Sequence, residues 1–135
     1  MARVVYNTPE LTHLLQSPAG PVGRDILRRS GNVRARAEQL ADARLNRSTR
    51  KGTHYHDSFV HTLEQSPLVG IVENTAPHAM PLEVGSIPHI IRAKNAPYLR
   101  FYSPKIGRWV RIKEVNHPGN DPYHVVLDAF AAAAV

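Results

Sequence analysis

Residues Val22–Leu45, VGRDILRRSGNVRARAEQLADARL, decide the fold. Ile26, Leu27, Val33, Ala37, Leu40, Ala41 and Leu45 recur at steps of three and four, which places them on one stripe of an α-helix. Burying that stripe turns Arg28, Arg29, Arg36 and Arg44 outward, so the element is a long amphipathic helix with a basic face. Gly31 weakens its middle by up to about 1 kcal/mol relative to alanine and leaves room for a kink or a close backbone contact.

On the N-terminal side, residues 1–21 hold Pro9, Pro18, Gly20 and Pro21 with only brief apolar pairs, and they read as an extended N-terminal arm. Val4, Val5, Tyr6, Leu11, Leu14 and Leu15 equip that arm to lie along a neighbour. On the C-terminal side, Asn46–Gly52 (NRSTRKG) is a polar, basic loop, and Ser58–Glu64 and Leu68–Glu73 have the β-branched content of two short strands. Asn74–Pro77 turns the chain. His78–Val84 fits a short helical turn ended by Gly85, which adopts positive φ without steric cost. His89–Ile91 suits a strand beside a hairpin made of Tyr98–Ser103 and Arg108–Val115, joined by Pro-Lys-Ile-Gly. A last helix is predicted over Pro122–Ala134, with Asp121 as its cap and Val125, Val126, Ala129, Phe130 and Ala133 as its apolar stripe. The expectation is an α+β fold: one domain over residues 22–135, a mostly antiparallel sheet packed by the long N-terminal helix and the C-terminal helix.

The 135 residues suffice for one core, and the absence of cysteine excludes disulfides, thiolate metal sites and cysteine nucleophiles. No stretch approaches the roughly 20 apolar residues of a membrane span, and the N-terminus lacks the apolar run of a signal peptide, so a soluble protein made in the cytoplasm is expected. The net charge of +6 is uneven. Residues 1–52 hold ten basic side chains against Glu10, Asp25, Glu38 and Asp42, whereas residues 53–135 hold seven of each sign. Arg24, Arg28, Arg29, Arg36, Arg44, Arg47, Arg50 and Lys51 are therefore the candidate contacts to a partner or to DNA, since such a patch attracts phosphates or acidic protein surfaces.

Eight histidines raise the question of a metal, and His54-x-His56-Asp57 is the tightest group. Two imidazoles at i and i+2 share a strand face, yet no third ligand has diagnostic spacing, so neither a metal nor another cofactor is expected. His61, His78, His89, His117 and His124 stand beside turn formers and read as hydrogen-bonding turn residues. Catalysis is not expected either. The chain has no Gly-x-Ser-x-Gly elbow and no P-loop, Ser58 and Ser86 lie outside any triad pattern, and Glu73, Glu83 and Asp121 lack metal-holding spacing.

Three segments together resemble a known family: Val72-Glu-Asn-Thr-Ala-Pro-His-Ala79, then Leu82-Glu-Val-Gly-Ser86 with Pro88-His89, then His117-Pro-Gly119 with Pro122-Tyr123 opening the last helix. They are similar in order and spacing to the turns of the small neck and tail-completion (head-tail connector) proteins of long-tailed, siphovirus-type bacteriophages, over roughly residues 50–131. His78 replaces the usual aromatic residue and Ser86 the usual threonine. The resemblance implies a virion structural protein at the head-to-tail junction, forming a homo-oligomeric ring against neighbouring connector and tail-terminator or tail-tube proteins, with packaged DNA as a possible contact and no membrane. It also implies structural roles for Asn74, Pro77, Glu83, Gly85, His117, Pro118 and Gly119: unusual turn geometry at Asn74 and Gly85, backbone hydrogen bonds to Glu83, and orientation of the last helix by Pro118-Gly119. Subunit contacts would come from the arm, the arginine helix and the hairpin tip Pro104–Gly107. Two other readings remain at this stage: a nucleic-acid-binding module using the arginine helix, and a small ribonuclease-type toxin using His54 and His56.

Overall fold

The computed structural model describes residues 2–5, 7–45 and 54–133. The predicted basic loop, with Arg47, Arg50 and Lys51, lies outside the described residues. Element order is α1 (Thr8–Gln16), α2 (Pro21–Arg44), a single 3-10 turn (Tyr55–Asp57), β1 (Phe59–Glu64), β2 (Val69–Asn74), α3 (Ala79–Val84), β3 (His89–Arg92), β4 (Leu99–Ser103), β5 (Arg108–Ile112), β6 (Glu114–His117) and α4 (Val125–Ala133). The fold class is α+β.

The long helix forms where the three-four periodicity places it, but its buried stripe is made of smaller residues than the sequence suggests. Gly23, Ser30, Val33, Ala37 and Ala41 face inward, whereas Leu27 is 40% exposed. The reason is close approach. At Gly70 of β2 an added Cβ would overlap the Ser30 hydroxyl and stand 2.8 Å from Ile26 Cγ2, so only small residues fit where the helix crosses the strand. Gly31 shows no comparable crowding: its nearest neighbour outside the helix, His61 Nε2, would stand 3.7 Å from a Cβ, an ordinary contact.

α2 packs on β1 and β2 along one side and on α4 along the other. Val33, Ala37, Ala41, Tyr55, Phe59, Ala76, Val125 and Ala129 form the buried core, and Phe59 and Val125 are its largest fully buried side chains. Four of these eight are alanines, which lets α2 and α4 approach closely but limits the apolar surface each contributes.

The strands are all antiparallel, and they form three separate two-stranded ladders, β1–β2, β3–β6 and β4–β5, in place of one continuous sheet. β3–β6 and β4–β5 follow one another along the same pair of chain segments, so residues 89–117 make an interrupted two-stranded ribbon whose tip is Pro104–Gly107. The arm differs from its expectation in part. Residues 8–16 form α1, helped by Pro9 at its start, where the lost N–H would be unpaired anyway. None of its residues is buried.

Candidate functional site

The turn segments of the resemblance, spread from Val72 to Tyr123, meet in one junction at the N-terminal end of α4. Its centre is Glu83. One carboxylate oxygen accepts the backbone N–H groups of Val126 and Leu127 at 2.9 and 3.0 Å, and the other accepts that of Val125 at 3.0 Å and the Tyr55 hydroxyl at 3.3 Å. Glu83 therefore caps the first turn of α4 from another element. Its negative charge lies at the positive end of the helix dipole.

This arrangement corrects the expected start of the last helix. Asp121 is not the cap, and the helix begins at Val125, because His124 has φ +48° and cannot belong to a right-handed helix. The chain before it is tied to α3: Tyr123 N–H donates to the Leu82 carbonyl at 2.9 Å and His124 N–H to that of Glu83 at 3.3 Å.

Gly85 and Gly119 fix the geometry around the cap. Their φ angles are +81° and +82°, and both sit against backbone: a Cβ on Gly85 would stand 2.8 Å from the Asn120 carbonyl oxygen, and one on Gly119 would overlap that of Ser86. The reason for this tightness is a bridge between Ser86 and Asn120, which exchange two backbone hydrogen bonds of 2.9 and 3.0 Å. The Ser86 hydroxyl donates to the Asn120 side-chain oxygen, and Asn120 Nδ2 donates to the Pro81 carbonyl at 2.8 Å. His117 Nδ1 accepts Gly119 N–H at 3.0 Å, and its ring stacks on His89 with centroids 5.0 Å apart. Pro118 is exposed between them.

Asn74 acts differently from the expectation. It ends β2 with ordinary strand geometry, and its side chain does the work: Nδ2 donates to the Tyr55 carbonyl at 2.7 Å and Oδ1 accepts Ala76 N–H at 2.9 Å. Pro77 lines an open apolar hollow of about 310 Å³ with Met80 and Val126 beside the junction. Tyr55 is the member that sequence reasoning missed, since nothing in its neighbourhood marks it. Burial, then the charge of Glu83, pushes its hydroxyl well above the ordinary tyrosine range, so it stays a donor to that carboxylate.

His56 also has a structural task. It is buried, and its Nε2 lies 3.1 Å from the Ala41 carbonyl and 3.2 Å from that of Leu45. Both neighbours are acceptors, so Nε2 carries the proton and donates to carbonyls at the C-terminal end of α2, that of Ala41 also accepting the Leu45 N–H at 2.9 Å. His56→Ala should cost about 2 kcal/mol of unfolding free energy, the range for losing a buried donor to such carbonyls. Urea denaturation with an unchanged slope would report it. No group of three or more His, Asp or Glu that could hold a metal ion occurs among the described residues. His61 is not a turn residue: it lies in β1, with Nδ1 buried and unpartnered among the described residues.

The arginines of α2 do not gather into one site. Arg28 and Arg29 both bind Asp25, at 2.6 and 2.7 Å, and those two hydrogen bonds, Arg28 first, hold the Asp25 carboxyl below its ordinary value. Arg36 bonds Gln39 at 3.1 Å. Arg44 is used inside the molecule, reaching the Tyr123 carbonyl and Asp128 of α4, both at 2.7 Å. Arg24 is exposed and makes no ion pair among the described residues. Arg34, which the charge pattern did not single out, pairs with Glu38 at 2.9 Å.

Comparison with known proteins gave no match: no protein-family model, no curated protein and no solved structure is similar to this chain. No helix among the described residues is long and apolar enough to cross a membrane.

Proposed function

We infer that this chain is a structural subunit of a tailed-phage virion, assembling as a ring at the head-to-tail junction and joining connector to tail. The observation that carries this reading is the arm. Leu11, Leu14 and Leu15 are between 38% and 54% exposed, Val4 and Val5 more so, and no residue of α1 is buried. A helix with three exposed leucines adds little to the stability of its own subunit and much to an interface with the next. A ring requires such a heterologous contact, in which one patch of a subunit meets a different patch of its neighbour. The junction around Glu83 supports the same reading, because the segments that resemble the connector turns act together to orient α4.

The expected result is a ring by negative-stain microscopy or mass photometry, either of the protein alone or mixed with connector and tail-tube proteins. Leu11→Asp with Leu15→Asp should convert the ring to monomers while leaving the subunit's melting temperature within about 2 °C, as exposed substitutions do. Monomers under every condition would overturn the reading. The ribonuclease-type alternative has less support, since the Nε2 of His56 is committed to two backbone carbonyls and the imidazole is buried.

A further inference from the structure

All seven basic side chains that follow residue 52 fall between positions 92 and 113: Arg92, Lys94, Arg100, Lys105, Arg108, Arg111 and Lys113. The ribbon of residues 89–117 contains a single acid, Glu114, which pairs with Arg92 at 3.1 Å. The C-terminal part of the chain is thus neutral only on average, and its positive charge is concentrated in the ribbon.

Within β4–β5 the register sorts the side chains. Leu99 opposite Ile112 and Phe101 opposite Val110 share one half-buried face. The other face is exposed and carries Arg100 opposite Arg111 and Tyr102 opposite Trp109. Like charges directly opposite each other on a two-stranded ladder are unfavourable. Stacking of the Arg100 guanidinium over the Trp109 ring, 5.2 Å from its centroid, offsets part of that cost. Trp109 is 60% exposed and Tyr102 49%, with their rings edge to face at 6.0 Å. A face of two arginines and two open aromatic rings, with Lys105 in the turn at the tip, has the chemistry that holds a nucleic-acid strand: cations along the phosphates and rings against unstacked bases.

We propose that the outer face of the β4–β5 hairpin binds single-stranded nucleic acid, with Arg100 and Arg111 on the phosphates and Trp109 and Tyr102 stacked on bases. The occupant is a strand rather than a duplex because paired bases present no open face to the two rings. This rests on the ribbon's own charge and register, and not on the ring assignment.

Trp109 is the only tryptophan, so its fluorescence reports occupancy of this face directly. Titrating the full chain with a 16-nucleotide oligothymidylate, or with the matching oligouridylate to separate DNA from RNA, should quench that fluorescence. Binding should weaken as salt rises. Arg100→Ala and Arg111→Ala together should flatten the slope of log affinity against log salt by about 1.4, as expected when two phosphate contacts to a single strand are lost. Trp109→Ala, followed by anisotropy of a labelled oligonucleotide, should weaken binding roughly 5- to 150-fold. Circular dichroism of each variant checks folding, and Trp109→Phe, which keeps a ring, should retain most of the affinity. Three results would overturn the proposal: a blunt duplex binding more tightly than the single strand, a polyglutamate peptide matching the oligonucleotide in affinity and quenching, or affinity that survives the ribbon substitutions but falls when Arg24, Arg28 and Arg29 are replaced.

Discussion

Glu83→Ala should lower the thermal midpoint by roughly 10 °C. The side chain accepts three backbone N–H groups at the start of α4 together with the Tyr55 hydroxyl. A single lost N-cap costs about 0.5–2 kcal/mol, and hydrogen bonds to a charged acceptor lie at or above the upper end of that range. The partly buried position and triple role put the loss at about 3 kcal/mol, and each kilocalorie shifts a domain of this size by roughly 3–5 °C. Glu83→Gln keeps an acceptor but removes the charge facing the helix dipole, so its midpoint should fall between wild type and the alanine variant. Scanning calorimetry of both variants measures this. A midpoint unchanged in Glu83→Ala would mean that α4 is held by its packing on α2 alone.

Gly119→Ala should be as damaging for a different reason. Its φ of +82° strains any L side chain, and the added methyl would meet only backbone: the Ser86 carbonyl oxygen, and the Ile87 carbonyl carbon at 2.9 Å. Backbone cannot swing aside as a flexible side chain can. The two hydrogen bonds of the Ser86–Asn120 bridge would have to break, and together with the strain the cost is about 3–5 kcal/mol. Gly107 provides the internal comparison. It also has positive φ, +68°, but nothing lies within 4 Å of its Cβ position, so Gly107→Ala should cost only the conformational term of about 1 kcal/mol. Equal losses at the two positions in urea melts would refute the steric argument.

Much of the architecture was legible because it is local. The 24 residues of α2 carry their periodicity in plain order, and β1, β2, the α3 turn ended by Gly85 and β4 all lie within two residues of their predicted bounds, whereas the strand expected over Arg108–Val115 is divided into β5, which ends at Ile112, and β6, which pairs with β3. Less was legible where distant segments decide. The start of α4 was assigned to Asp121 and Pro122 because those are good local signals. The acceptor that actually serves the helix stands some forty residues earlier, and no propensity at residues 121–125 refers to it. The same applies to α2: hydrophobicity favoured Leu27 over Ser30 for the buried stripe, but the crossing at Gly70 leaves space only for the smaller residue.

The charge pattern shows where the boundary lies. Composition by itself located the +6 excess in residues 1–52 and identified α2 as an amphipathic basic helix, because net charge and helical period depend only on the order of residues. Tertiary structure decided what those charges can reach. It set Arg28 and Arg29 against Asp25, bound Arg44 to Asp128 of α4, and placed Arg100 opposite Arg111 beside the Trp109 ring. Charges act through distance in space, and folding replaces distance along the chain by register and packing, which a running sum along the sequence does not contain.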